Sequence, residues 1–268
     1  MSSVTPSFLP ARWRVAPLLA CHAAALALLA SWTWPRTRAA WDALDAAVFH
    51  ALNGSLAGSG AWPHAMALAN MRAADALVAL VMLAIVLRGR WIFARGEVRP
   101  ALYALVAMLA LLLAIRAGPF AEAVRALHLQ RASPSLAIDG AVRLGQRFAS
   151  WDRVIHIKDS SSRSFPGDHA SVVFVWATFL GLRARARWRA IVVALSILFI
   201  MPRVVAGAHW ASDVLVGGVA LALFTLSWGL CTPFAARASA GLERLFAPVV
   251  RRLGRLPLAR RASLFEAR

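Results

Sequence analysis

Two short stretches hold residue types that can move a phosphoryl group. The first, KDSSSRSFPGDHAS (158–171), carries Lys158, Arg163, Asp159, Asp168 and His169, and ends where an apolar run begins. Pro166 and Gly167 are turn residues ahead of that run. A helix starting there would present free backbone N–H groups and the positive end of its dipole, which suits an anion. Lys158 and Arg163 add charge of the right sign. The second, PRVVAGAHWASD (202–213), sets Arg203 at the end of one apolar run and His209 and Asp213 at the start of the next. A four-residue spacing places the last two on one helical face. A carboxylate so placed holds one imidazole nitrogen protonated and leaves the other as nucleophile or base.

Histidines beside apolar runs are commonly polar interfacial groups, and His22, His50, His64, His128 and His156 read that way. A single arginine at a helix end reads as an anchor reaching for headgroups. Coincidence lifts His169 and His209 above this reading. Two loops each bring a histidine, an acid and an arginine to a helix boundary, and ionisable groups at such places are functional candidates.

The elements that must position these groups are membrane spans. Of 268 residues 60% are hydrophobic and only 16% charged, where a soluble domain carries about a quarter. The apolar residues come in six blocks, 15–34, 73–87, 101–115, 170–182, 190–201 and 214–231. Several are shorter than the roughly 17–25 residues a span needs, so their flanks must extend them, with Trp91, Trp151, Trp188 and Trp210 at the interface. The expectation is an all-α polytopic protein of six transmembrane helices: a short N-terminus (1–14), a six-span catalytic domain (15–231) and a basic tail (232–268). Eighteen of the 30 basic residues fall in the N-terminus, 88–99, 183–189 and the tail, with three acids. The positive-inside rule puts that side, and both termini, in the cytoplasm. Segments 35–72, 116–169 and 204–212 then face the other side, with Arg203 and Asp213 at the borders of the last.

The formal charge of +18 invites a nucleic-acid reading, but the arginines sit in short loops with no aromatic-interleaved basic domain, and nucleic acid is excluded as a partner. Membrane lipid is the partner they suit. Cys21 and Cys231 lie inside the first and last blocks, which argues against a disulfide and excludes a cysteine metal cluster. The first block lacks a small-residue cleavage site and reads as a retained span. WDALDAAVFHALNGSL (41–56) predicts a short interfacial helix ending at Asn53-Gly54. The tail predicts a basic segment lying on anionic lipid, its Gly and Pro excluding one long helix.

Arg203-x5-His209-x3-Asp213 resembles the third motif of the type-2 phosphatidic acid phosphatase (PAP2) superfamily. Pro166–His169 stands where that superfamily has Pro-Ser-Gly-His, and the 33 residues between His169 and Arg203 suit its spacing. LQRASPSL, KDSSSRSFPGDHA and MPRVVAGAHWASDVLVG together are similar to a narrower branch. Its members move a phosphate from undecaprenyl pyrophosphate to lipid A at the outer face of the bacterial inner membrane. DALDAAVFHALNGSL and ALANMRAAD fit the same branch, so the likeness spans about 32–233.

The resemblance implies a PAP2-like helical bundle that uses neither metal nor cofactor. His209 would take the phosphoryl group as a phosphohistidine and Asp213 would orient it. His169 would protonate the leaving oxygen and later activate the acceptor. Arg203, Arg163, Lys158 and Arg131 would neutralise the phosphate oxygens, with the Gly167 N–H helping. Two departures stand out. Gly167 replaces the usual Ser, and Asp168 the usual Gly, so Asp168 should cap its helix or pair with Arg163 or Lys158. The first motif, Lys-x6-Arg-Pro, is absent as written; Arg131 with Pro134 is its nearest equivalent, and Lys158 supplies an amine. Two other readings stay open: hydrolysis of undecaprenyl pyrophosphate or another lipid phosphate, and a non-catalytic lipid-phosphate binder or transporter.

Overall fold

The computed structural model describes residues 9, 11–255 and 264, and these form helices and loops with no strand among them. Helix α1 (Val15–Thr33) leads directly into α2 (Pro35–Gly54), whose first residue is a proline that suits the first helical turn. Helices α3 (Ala61–Ala69) and α4 (Arg72–Leu87) meet at a 71° bend, and α5 (Val98–Ile115) follows. A π-helical stretch, Arg116–Phe120, joins α5 to α6 (Ala121–Ala126). The next segment has only short helices, α7 (Pro134–Ala137), α8 (Leu144–Arg147) and α9 (Ala149–Ile155). Then come α10 (Asp168–Gly181), α11 (Ala186–Val205), the π-helical Asp213–Gly218 running into α12 (Val219–Cys231), and α13 (Phe234–Leu253).

All six apolar blocks are helical. By length and composition four helices can cross a bilayer, or five if α3 and α4 are taken as one bent span. Helix α10, with 14 residues, rises about 21 Å, short of a hydrocarbon core of roughly 30 Å. The expected six crossings therefore become four to five by this measure. Leu19, Leu26, Leu77, Leu80, Leu113, Ile197 and Leu198 are all exposed on α1, α4, α5 and α11. So much exposed leucine would drive a soluble protein to aggregate, whereas lipid accepts it. The protein is a membrane protein, and α12 is its central helix, packed against α1, α5 and α10. Its Ala220, Ala222, Ser227 and Gly229 are small, which lets neighbouring backbones approach where packing, not water, holds helices together.

Two expectations change. Helix α2 is 20 residues long rather than short, and it turns Asp45, Phe49 and Asn53 inward against the bundle. Its end at Gly54 matches the Asn-Gly signal. Within the described part of the tail, Phe234–Leu253 form one helix through Pro248, and 256–263 and 265–268 lie outside the described residues. Tertiary contact outweighs the hydrogen bond that Pro248 removes: Ser239 Oγ donates to the Pro100 carbonyl at 3.0 Å, Arg99 Nη2 meets Glu243 at 2.8 Å, and Tyr103 stacks on Phe246. The helix stops at Gly254.

Loops carry the candidate residues, so their backbone groups need partners. Segment 131–135 lies beside 161–164: Ser133 N–H donates to the Ser161 carbonyl and Ser164 N–H to the Arg131 carbonyl, both at 2.9 Å. Asn53 Nδ2 donates to the Val142 carbonyl (3.0 Å) and the Val205 carbonyl (3.2 Å), while its Oδ1 accepts from Val142 N–H. Buried Asp159 accepts the Gly145 N–H at 2.8 Å. The turn after α11 is closed by Gly207, whose φ of +76° places any added Cβ 2.8 Å from the Phe49 ring and 3.0 Å from Ser135. Gly207→Ala should lower the melting midpoint in detergent by about 4 °C or more, at roughly 2 °C per kcal/mol for a chain this size. An unchanged midpoint in a thermal scan would contradict this account of the turn.

Candidate active site

His209 lies in the bend between α11 and the π-helical stretch, outside any helix. Its Nδ1 is 2.9 Å from the Ser164 carbonyl. A carbonyl only accepts, so Nδ1 carries the proton and Nε2 keeps its lone pair. Asp213 Oδ2 stands 3.5 Å from the same Nδ1 and accepts the Trp210 N–H at 2.9 Å. The direct lock on the tautomer is therefore the Ser164 carbonyl. Asp213 supports it electrostatically and fixes the turn that carries His209.

Asp213 is fully buried, and Arg131 is its counter-ion. Nε and Nη2 of Arg131 reach Oδ1 at 3.2 and 2.8 Å, and Nη1 reaches Asp45 Oδ2 at 2.9 Å. The guanidinium lies over Trp32 at 5.1 Å and over Trp210 at 4.9 Å. Asp45 in turn accepts the N–H and Oγ of Ser212, at 2.8 and 2.7 Å. Arg131 was expected on phosphate. Instead its Nε, Nη1 and Nη2 meet Asp213, Asp45 and Ser212 Oγ, and it holds the histidine's support together. Trp210, expected at the interface, belongs to this cluster, and its Nε1 donates to the Ala132 carbonyl at 2.8 Å.

Gly167 is corrected likewise. Its N–H donates to the Asp213 carbonyl at 3.0 Å, and an added Cβ would stand 3.0 Å from that oxygen. The residue is small so that the two motifs can touch, and its N–H is not free for a ligand. Asp168 opens α10 and pairs with Arg116, not with Arg163 or Lys158. Arg116 comes from the π-helical turn, a break that charge pattern alone did not disclose.

The remaining expected residues converge. Lys158, Arg163, His169, Arg203 and His209 line one cavity of about 50 Å³, together with Ser160, Ser161, Asp168 and Ala208. Lys158 and Arg163 are exposed. Arg203 is nearly buried: Nη1 meets Asn70 and the Lys158 carbonyl (3.1 Å), and Nη2 meets both oxygens of Asp75 at 2.6 and 2.7 Å. Asp75 Oδ1 is also 3.2 Å from His169 Nε2. Nothing in the motif spacing pointed to Asp75 or Asp45. The available signal was an acid in an apolar helix, which lipid tolerates only with a partner. His169, Arg203 and Asp168 also line an apolar groove of about 720 Å³ between α4, α10 and α11, bounded by Met66, Leu77, Met82, Val172 and Phe199. The arrangement can hold a phosphate beside a free imidazole nitrogen, with a hydrocarbon chain leading away.

Helical bundle, paired histidines and basic cavity define a lipid-phosphate enzyme. The family description PAP2 superfamily matches residues 101–237, and the chain belongs to that superfamily. It is also 30% identical, over 212 residues, to the lipid A 1-diphosphate synthase of Escherichia coli (strain K12), covering 79% of this chain and 86% of the other. No solved structure matches it.

Arg131→Ala strands Asp45 and Asp213 as buried charges. It should cost about 3–5 kcal/mol of stability and remove folded protein from detergent extracts, as size-exclusion and thermal melting would show. A stable variant with only a raised KM would return Arg131 to phosphate binding.

Proposed function

We propose that this protein moves the terminal phosphate of undecaprenyl pyrophosphate to the 1-phosphate of lipid A through a phosphohistidine on His209. The observation that carries it is the small basic cavity with two histidines, sharing His169 and Arg203 with a long apolar groove. The groove offers an apolar path for a polyprenyl chain, and the cavity a basic seat for its terminal phosphate. The similarity to a lipid A 1-diphosphate synthase supports the acceptor.

In the first step the Nε2 lone pair of His209 attacks the terminal phosphorus. The bond to the bridging oxygen breaks, that oxygen keeps the electron pair, and His169 supplies its proton. The phosphorylated ring carries positive charge, which the Ser164 carbonyl and Asp213 stabilise. Lys158, Arg163 and Arg203 neutralise the transferring oxygens. In the second step an acceptor phosphate oxygen attacks phosphorus, the P–N pair returns to Nε2, and His169 takes the acceptor proton. Water in the acceptor's place gives hydrolysis.

The topology proposed with this mechanism has six crossings, with α10 completed by its flanking loops. Both termini are cytoplasmic and the site opens at the periplasmic face; the arginine distribution supports it.

With undecaprenyl pyrophosphate labelled in its terminal phosphate, label should appear on lipid A and be lost in His209→Ala. Label found only as free phosphate would favour a lipid pyrophosphate phosphatase. Asp213→Asn should slow turnover by at least about a hundredfold, because the buried charge opposite the phosphohistidine is gone; near-wild-type turnover would refute its role. A cysteine placed at Ser161 should react with an impermeant thiol reagent from outside intact spheroplasts. Reaction only from the cytoplasmic side would overturn the topology.

A further inference from the structure

We propose that Asp75 is a positioning residue for His169, making a second carboxylate–imidazole pair beside that of His209. Asp75 sits in the first turn of α4, just past the 71° bend. Buried Asn70 fixes that bend, its Nδ2 donating to the Met66 carbonyl at 2.8 Å and the Pro202 carbonyl at 3.0 Å. The bend aims the carboxylate so that Oδ1 meets His169 Nε2 at 3.2 Å and Arg203 Nη2 at 2.6 Å.

Two observations separate this from a simple fold tie. Arg203 is also held through Nη1 by Asn70 and the Lys158 carbonyl, so its placement survives loss of Asp75. His169 makes no other side-chain hydrogen bond among the described residues. Asp75 also stands behind Arg203 and His169: it lines the apolar groove and an outer polar cavity with Arg72, His156 and Lys158, but not the cavity that holds His209. A carboxylate facing bound phosphate would repel it, whereas one behind His169 orients the ring from outside the cavity proposed for the phosphate.

The inference rests on the phosphohistidine reading for the part His169 plays. Asp75 keeps Nε2 as the N–H that it accepts, leaving Nδ1 to exchange protons. In the first step a doubly protonated ring gives its Nδ1 proton to the bridging oxygen. In the second, Nδ1 takes the proton from the acceptor oxygen, and Nε2–H stays on Asp75 throughout. An amide at position 75 can present its NH2 to Nε2 and select the wrong tautomer.

The test is steady-state kinetics of the full-length protein in detergent with undecaprenyl pyrophosphate. Asp75→Asn should lower kcat about 10–100-fold with KM within about twofold. Asp75→Glu, which keeps the charge, should recover kcat to within about fivefold of wild type. In a His169→Ala background, Asp75→Asn should cost less than about twofold more, because the residue acts through that ring. Equal losses in both backgrounds, wild-type kcat in Asp75→Asn, or a melting transition lost in Asp75→Asn and not restored by Asp75→Glu would each overturn the inference. The two readings fail separately. Full turnover in His209→Ala defeats the phosphohistidine, while a dead His209→Ala with a fast Asp75→Asn defeats only the role of Asp75.

Discussion

The buried charge of Asp213 organises the half of the molecule that holds the candidate site. A carboxylate with no solvent exposure is tolerable only where hydrogen bonds and a counter-ion replace its water. Meeting that requirement draws in Arg131 from the segment after α6, the Trp210 N–H from the turn before it, and His209. Arg131 then needs its own surroundings. Asp45 from α2 shares its charge, and Trp32 and Trp210 cover its faces, each contact worth about 0.5–2 kcal/mol. One buried acid thus ties α1, α2, the 131–135 segment and the start of α12 into a single unit. Packing adds the last contact, since Phe165 stacks on Trp32 at 4.4 Å and brings the Ser164 carbonyl to His209.

The second constraint is the lipid. Irregular backbone is costly near a hydrocarbon core unless every polar group finds a partner. In the loops 158–167 and 206–212 the N–H groups of Lys158, Ser161 and Ser164 donate to the Asn70 carbonyl, Ser133 Oγ and the Arg131 carbonyl, and those of Trp210 and Ser212 to Asp213 and Asp45. Such mutual satisfaction is what makes a loop rigid enough to hold reacting groups to within a fraction of an ångström. It also divides the space around Arg203 and His169. A small polar cavity lies on the side of His209, and an apolar groove opens between α4, α10 and α11. An amphipathic lipid phosphate needs both compartments to meet at one point, and they meet at these two side chains.

Both acids that pattern reading passed over, Asp45 and Asp75, sit in helices and contact residues far along the chain. Asp45 reaches Arg131 and Ser212, and Asp75 reaches His169 and Arg203. Spacing rules register neighbours three or four residues apart. They register nothing for partners brought together across some 90 to 170 positions. The same limit accounts for Arg116 with Asp168, and for the tail helix, where contact with α5 overrules Pro248.

The sequence by itself determined the solvent, the helical class and the residues that line the cavity. Block hydropathy, arginine placement and histidine motifs are local properties, and lipid leaves helices as the dominant way to satisfy a backbone. Tertiary structure alone decided which partners each charged group meets. Arg131 and Lys158 are both cations beside a motif, yet one is buried against two carboxylates while the other stands exposed at the cavity. The difference lies in burial and partner geometry, which set whether a charge holds the fold or remains free for a ligand.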